Sequence, residues 1–323
     1  MTHPIGRRAA LALPSLVVAG NAAAQGTDRP LRIVIPFPPG GSSDILARIL
    51  QPELQRGLNQ VVVVDNRGGA AGNLGADHVA KAAPDGTTVL LTDTGILTTG
   101  PSLFARLPYN PATDLAPVTM LTFAPYIMAV HPSLAARDGR ELAALVRAEP
   151  GRINFAHSGV GALNHLTALL VAQHWGGSVT EVFYRGGMIG IQAAVTNESQ
   201  LIVNGATAVL PFVKDGRLRA IAVTGPRRLA DLPDVPTFAE LGWPAADAGI
   251  GQGVLAPART PAATIERLFT AFRDTLAEPV LRTRMAGLGA EIVTDGPDAF
   301  RTRLAAETEA WGGIVRARGI RLD

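Results

Sequence analysis

The 323-residue sequence contains no cysteine. That excludes a disulfide framework, thiolate metal sites and a lipid-anchored N-terminal cysteine. Charge is sparse as well: 17% of residues are Asp, Glu, Lys or Arg, and no block of five or more like charges occurs. The formal net charge of +2 comes from Arg7 and Arg8 alone; from residue 25 onward cations and acids balance. A phosphate-tracking protein needs clustered excess cation, so nucleic acid is not expected as a partner. No apolar run reaches the 18 residues of a spanning helix. Signatures of catalysis are missing too. The six histidines (His3, His78, His131, His157, His165, His174) form no H-E-x-x-H, and there is no G-x-S-x-G elbow and no Lys-Ser/Thr phosphate loop. Gly251-Gln252-Gly253 with Ala256 fits a permissive dinucleotide pattern, but Pro257 follows where that motif requires a helix. Catalytic residues, metal and cofactor are all expected to be none.

What is present is a foldable chain, 47% hydrophobic, with 35 Gly and 24 Pro. At roughly 150 residues per domain its length predicts two domains. Arg7 and Arg8, the apolar run Ala9 to Ala19 and the small pair Ala22 and Ala24 form an export signal over residues 1–24, with cleavage near Ala24. The paired arginines also allow a twin-arginine route. A periplasmic location follows, away from ATP and the nicotinamide pool.

Apolar strands alternate with helices. Leu31 to Ile35 reads as a strand, Pro38 to Ser43 as a loop, Asp44 to Arg56 as a helix, and Val61 to Val64 as a second strand. A helix near Asn73 to Ala82, a turn at Pro84-Asp85-Gly86 and the strand Thr88 to Leu91 follow. A second series begins at Tyr126 to Val130 and continues with a helix at Gly139 to Ala148, the strand Arg152 to Ala156, a helix at Ala162 to Trp175 and the strand Val179 to Tyr184. Leu218 to Val223 is a further strand-like run. The proline-bearing stretches Pro111 to Pro125 and Pro226 to Pro244 lack helical period and read as the two crossovers between domains. A strand near Gly253 to Ala256 and helices at Ala262 to Ala277, Pro279 to Gly287 and Pro297 to Arg318 complete the first domain. The pattern predicts two α/β lobes, each a mostly parallel sheet flanked by helices, with a ligand cleft between them. Residues 25–125 plus 249–323 are assigned to lobe 1 and 126–248 to lobe 2.

Gly40-Gly41-Ser42-Ser43-Asp44 lies where a strand ends and a helix begins, so free N–H groups and the helix dipole favour an anion there. Ser42 and Ser43 add hydroxyls; the plainer reading is that Ser43 or Asp44 is an N-cap. His157-Ser158-Gly159-Val160-Gly161 is a matching turn in the second series. Two such loops facing each other suit a carboxylate caught between closing lobes. His165 reads more readily as a packing or capping residue, and Trp175, Trp243 and Trp311 as packing.

The run Ile35-Pro36-Phe37-Pro38-Pro39-Gly40-Gly41-Ser42-Ser43-Asp44, then Asp65-Asn66-Arg67, Gly72-Asn73-Leu74-Gly75-Ala76, Ala82-Ala83-Pro84-Asp85-Gly86 and Leu232-Pro233-Asp234-Val235-Pro236-Thr237, resembles the Bug family. These are periplasmic solute-binding proteins of tripartite tricarboxylate transporters. The resemblance implies a type II periplasmic binding fold, a small carboxylate ligand, a membrane permease partner and a monomer. It also implies a site made by the first loop (Phe37, Gly40, Gly41, Ser42, Ser43, Asp44), the third-strand loop (Thr92, Asp93, Thr94) and the second-domain loop (His157, Ser158, Gly159, Gly161, with His165). Three departures stand out: Ala162-Leu163-Asn164 where hydroxyl residues are usual, Asn204-Gly205 where Asp-Asn is usual, and the acid Asp93 where small or neutral residues are common. If Asp93 faces the cleft it would repel a second carboxylate or attract an amine. The rival readings are a periplasmic sensor for a signalling partner and a hydrolase using Ser158 or Ser43 with a histidine.

Overall fold

The structure, a computed structural model, describes residues 29–322. The expected export signal lies outside the described residues. Among the described residues, no helix is long and apolar enough to cross a membrane.

The chain runs β1 (Leu31–Ile35), α1 (Ser42–Leu58), β2 (Val62–Asn66), α2 (Asn73–Ala80), β3 (Thr88–Asp93), α3 (Gly95–Leu103), α4 (Pro111–Asp114) and β4 (Leu115–Val130). There follow α5 (Gly139–Ala148), β5 (Asn154–His157), α6 (Leu163–His174), β6 (Thr180–Phe183), α7 (Gly187–Val195), β7 (Leu201–Gly205), α8 (Ala206–Lys214) and β8 (Arg219–Val223). The return comprises β9 (Gly249–Pro257), α9 (Ala262–Ala277), α10 (Pro279–Gly287), β10 (Glu291–Asp295) and α11 (Pro297–Ala317).

The strands follow the order β2-β1-β3-β9-β4-β7-β5-β6, with β8 and β10 also on β4. β4 carries two sets of partners. Leu115 to Pro125 pairs with β9, and part of that stretch with β10, whereas Tyr126 to Val130 pairs with β7 and β8. The two lobes are thus two sheets that share one strand. Within each lobe the helix-linked strands are parallel as expected: β1 with β2 and β3, β5 with β6 and β7. The crossing strands β4 and β9 run antiparallel to their neighbours, so each sheet is mixed, where alternation alone predicts a mostly parallel one.

Both faces of each sheet are covered, which is why the strands read as near-continuous apolar runs. Leu31, Ile33 and Ile35 of β1 pack with α1 and α9, while the alternate Val34 packs with Ala76 of α2 and Phe300 of α11. In the second sheet Tyr126, Met128 and Val130 face α5 and α6, and Ile127 and Ala129 face α7 and α8.

The stretch Pro111 to Pro125, read above as irregular, is instead α4 followed by the first part of β4. Pro111 opens α4, where a helix tolerates proline, and Pro117 and Pro125 occupy positions that a strand tolerates. Pro117 sits at a register shift against β9, and Pro125 is the last residue before the change of partners. Just past that change, the Tyr126 N–H donates to Thr224 Oγ1 at 2.7 Å and the Thr224 N–H donates to the Tyr126 carbonyl at 2.9 Å. Thr224 Oγ1 also donates to the Ala248 carbonyl. One buried threonine therefore ties the end of β8 to both places where the chain crosses between lobes, at Tyr126 and Ala248.

Candidate functional site

Two adjoining cavities of about 80 and 70 Å³ lie between the sheets and share Phe37, Asp93, Ser158, Asn204 and Ile250. The first loop forms one wall. Gly40 has φ +88°, so a side chain there would be strained, and Met188 of α7 packs in ordinary contact over it. Gly41 caps α1 in extended backbone, and Ser42, Ser43 and Asp44 begin the helix at the cavity edge. The Asp44 carboxylate accepts the Gly40 N–H at 2.9 Å and both its oxygens accept from Arg48 Nε at 3.0 Å. Burial pushes its pKa up, but hydrogen bonds from Arg48, Gly40 and Asn66 outweigh that and hold it below the ordinary carboxylate value. Asp44 braces the loop from within. Ser42 Oγ, by contrast, is buried with no hydrogen-bond partner and lines the first cavity.

Helix N-termini surround the rest. Of the five helices α1, α3, α6, α7 and α8, none has its N-cap side chain bonded to the helix. Residues at or just before their starts line the cavities: Gly41, Gly95, Ala162, Gly186 and Asn204. Each such end carries unpaired N–H groups and a partial positive charge. No Lys, Arg or His lines either cavity.

In the third-strand loop the strand alternation separates the three expected residues. Asp93 lines both cavities, and its Oδ1 accepts the Gly95 N–H at 2.8 Å. Thr92 is buried, with Oγ1 donating to the Asp93 carbonyl at 3.2 Å; Thr94 is buried and donates to Glu307 Oε2 at 3.3 Å. Neither threonine lines a cavity. Opposite Asp93 in register stands Gln252 of β9, which lines the first cavity and whose buried amide has no partner at either Nε2 or Oε1.

The second-domain loop also divides into lining and support. Ser158 and Gly159 line the cavities, and Ser158 Oγ donates to Asn164 Oδ1 at 3.4 Å. Asn164 Nδ2 in turn donates to the Val203 carbonyl at 3.0 Å. Asn204 lines both cavities and its Oδ1 accepts the Gly205 N–H at 2.8 Å. His157 and His165 lie behind the loop, buried, with ring centroids 4.5 Å apart. The Gly161 N–H donates to His165 Nδ1 at 3.0 Å, so the ring proton sits on Nε2, 2.6 Å from Glu181 Oε2. Burial lowers both histidine pKa values, with Glu181 opposing the fall at each.

His157, His165 and Glu181 bring possible metal-ligating atoms within 4.8 Å of one another. A cation at His165 Nε2 would displace the Glu181 bond and leave the imidazole without a proton, because Gly161 already occupies Nδ1. The chemistry of this donor set is that of a brace for the Gly159 to Gly161 turn. No hydrogen bond joins Ser158 or Ser43 to a histidine among the described residues, so the nucleophile-base pair a hydrolase needs is not assembled.

The lobes touch across the cleft. Pro38 lies against Gly186, Leu163 against Gly95, Leu103 against Gly161, and Ser42 and Ile250 against Gly205. Gly186, Gly187, Met188 and Ile189 form a whole wall of the first cavity that the sequence reading above does not include. The signal was available: Gly186-Gly187 follows a strand and opens a helix, as Gly40-Gly41 does. Gln252 had no such signal beyond its place in a glycine-flanked strand.

Residues 46–320 match the tripartite tricarboxylate transporter family receptor. The chain belongs to that family. Protein BugT of Bordetella pertussis is 35% identical over 312 residues, spanning 95% of this chain and 96% of BugT. Among solved structures, MatC of Rhodopseudomonas palustris with bound malate superposes with a TM-score of 0.84 at 30% identity, covering 89% of this chain and 99% of MatC. Rpa4515 of R. palustris with adipate gives 0.87 at 29% identity, covering 92% of this chain and 99% of that one. The resemblance read from the first loop onward is confirmed, and with it the two-lobed periplasmic binding fold. This receptor family is one of solute-binding proteins.

Proposed function

We propose that this receptor holds a small organic carboxylate between its lobes, in the periplasm, and delivers it to a tripartite tricarboxylate-type membrane permease. The lobes of this reading are 25–125 plus 249–323 and 126–248, and binding is by hinge closure about β4 and β9, without catalysis. The observation that carries it is the set of five helix N-termini around a cleft with no cationic side chain. None has its N-cap side chain bonded, and among the described residues only α3 has a first-turn N–H, that of Gly95, taken by a neighbouring carboxylate. Backbone N–H groups and dipoles neutralise a carboxylate without a salt bridge, and release it without breaking one. The contacts of Pro38, Met188, Leu163 and Leu103 across the cleft fit a closed form that encloses its ligand. Malate in MatC and adipate in Rpa4515 fit the same ligand class.

A thermal-shift screen of refolded mature protein against carboxylates, sugars and amines tests this reading. A ligand at a hundredfold excess over Kd adds about 2.7 kcal/mol of stability. Shifts confined to carboxylates and lost in Ser42→Leu support the receptor reading; shifts from neutral sugars alone overturn it.

A further inference from the structure

We propose that the ligand carries an ammonium group as well as a carboxylate, and that Asp93, with Gln252 beside it, selects for that ammonium. The inference rests on the carboxylate-receptor reading above.

Asp93 and Gln252 are register partners on β3 and β9, so their side chains stand next to each other on one face of the sheet. Both line the first cavity. One Asp93 oxygen is taken by the Gly95 N–H; among the described residues no donor reaches the other. Gln252 is 3% exposed, yet neither atom of its amide is bonded. Ser42 Oγ, lining the same cavity, is likewise unpartnered. Asp93, Gln252 and Ser42 give the lining of this one cavity three unfilled acceptors, the number of N–H groups of an ammonium.

Charge points the same way. The cavities hold two acids, and Asp44 is already paired with Arg48. Among the described residues no cation acts on Asp93: the ionisable groups acting with it are Glu307 of α11 and Tyr126 of β4, and Arg303 is engaged with Glu307. A second ligand carboxylate would add a like charge to this wall, whereas an ammonium supplies the missing opposite one. The ligand's carboxylate then falls to the helix N-termini around the remainder of the cleft. Burial, partly offset by the Gly95 N–H and reinforced by Glu307, pushes Asp93 up to about 7. Raising the pH through that value ionises Asp93 and strengthens its hold on an ammonium; it would weaken the hold on a second carboxylate.

Isothermal titration of the mature protein with alanine, β-alanine and 4-aminobutyrate, set against propionate, malonate and succinate at pH 6 and pH 8, decides the matter. The expected result is binding of an aminocarboxylate, roughly tenfold tighter at pH 8 than at pH 6, reduced at least tenfold and made pH-independent in Asp93→Asn. Gln252→Leu, on the neighbouring strand, is expected to weaken the same ligand and serves if Asp93→Asn does not fold. Dicarboxylate binding that tightens at pH 6, or that survives in Asp93→Asn, overturns the ammonium selection and leaves the carboxylate receptor standing. If no carboxylate of either kind binds, both readings fall.

Discussion

Asp44 and His165 sit at the loops that line the cavities but act on the loops' own backbone. Asp44 draws the Gly40 N–H into the first turn of α1, and His165 draws the Gly161 N–H into the first turn of α6. Sequence alone could mark both as belonging to the site; it could not show that their polar atoms are consumed before a ligand arrives. The histidines carry a pH signature. Their folded pKa values are depressed below the ordinary histidine value of about 6.5. The stability that this neutral pair contributes is therefore fully present above about pH 6.5 and is lost as pH falls through the folded values. Urea midpoints measured from pH 8 to pH 5 should decline below about 6.5, and His165→Gln should flatten that decline. Equal midpoints at pH 7 and pH 5 would show that protonation is not resisted.

At the scale of elements, legibility followed periodicity. α1 was readable because Leu46, Leu50 and Leu54 form a buried stripe, and β1 because Leu31, Ile33 and Ile35 form an apolar run. α7, Gly187 to Val195, is apolar on nearly every side and α3 is rich in Gly and Thr, so neither offers a polar face to read. The first half of β4 reads as irregular because Pro117 and Pro125 look like breakers until a register shift and a change of partner absorb them. The turn before α6 gives a sharp test. Gly161 has φ +76°, and Leu103 of α3 packs directly on it. Gly161→Ala combines a left-handed strain of order 1 kcal/mol with a clash at the lobe contact. Its melting temperature should fall, and its affinity for any carboxylate found by the screen should fall further than stability alone predicts.

At the scale of the molecule, the lobes are joined by strands, and one threonine holds the junction. Thr224→Val keeps the volume but leaves the Tyr126 N–H without its acceptor and removes the donor to Ala248. Urea denaturation should show a loss of about 1–3 kcal/mol; an unchanged midpoint would mean that water or a rearranged backbone satisfies these groups at no cost.

The return of β9 also fixes an order of events during folding. Leu90 of β3 pairs with Leu255, about half the chain away, and β4 pairs along the other edge of the same strand. The N-terminal sheet is thus a gap waiting for a strand from the last third of the polypeptide, and its edges stay open until that strand arrives. The second sheet, built from consecutive segments, has every partner at hand much sooner. Such non-local pairing is expected to make the first lobe the slower half to assemble, with its core strands complete only when the last third of the chain folds back between them.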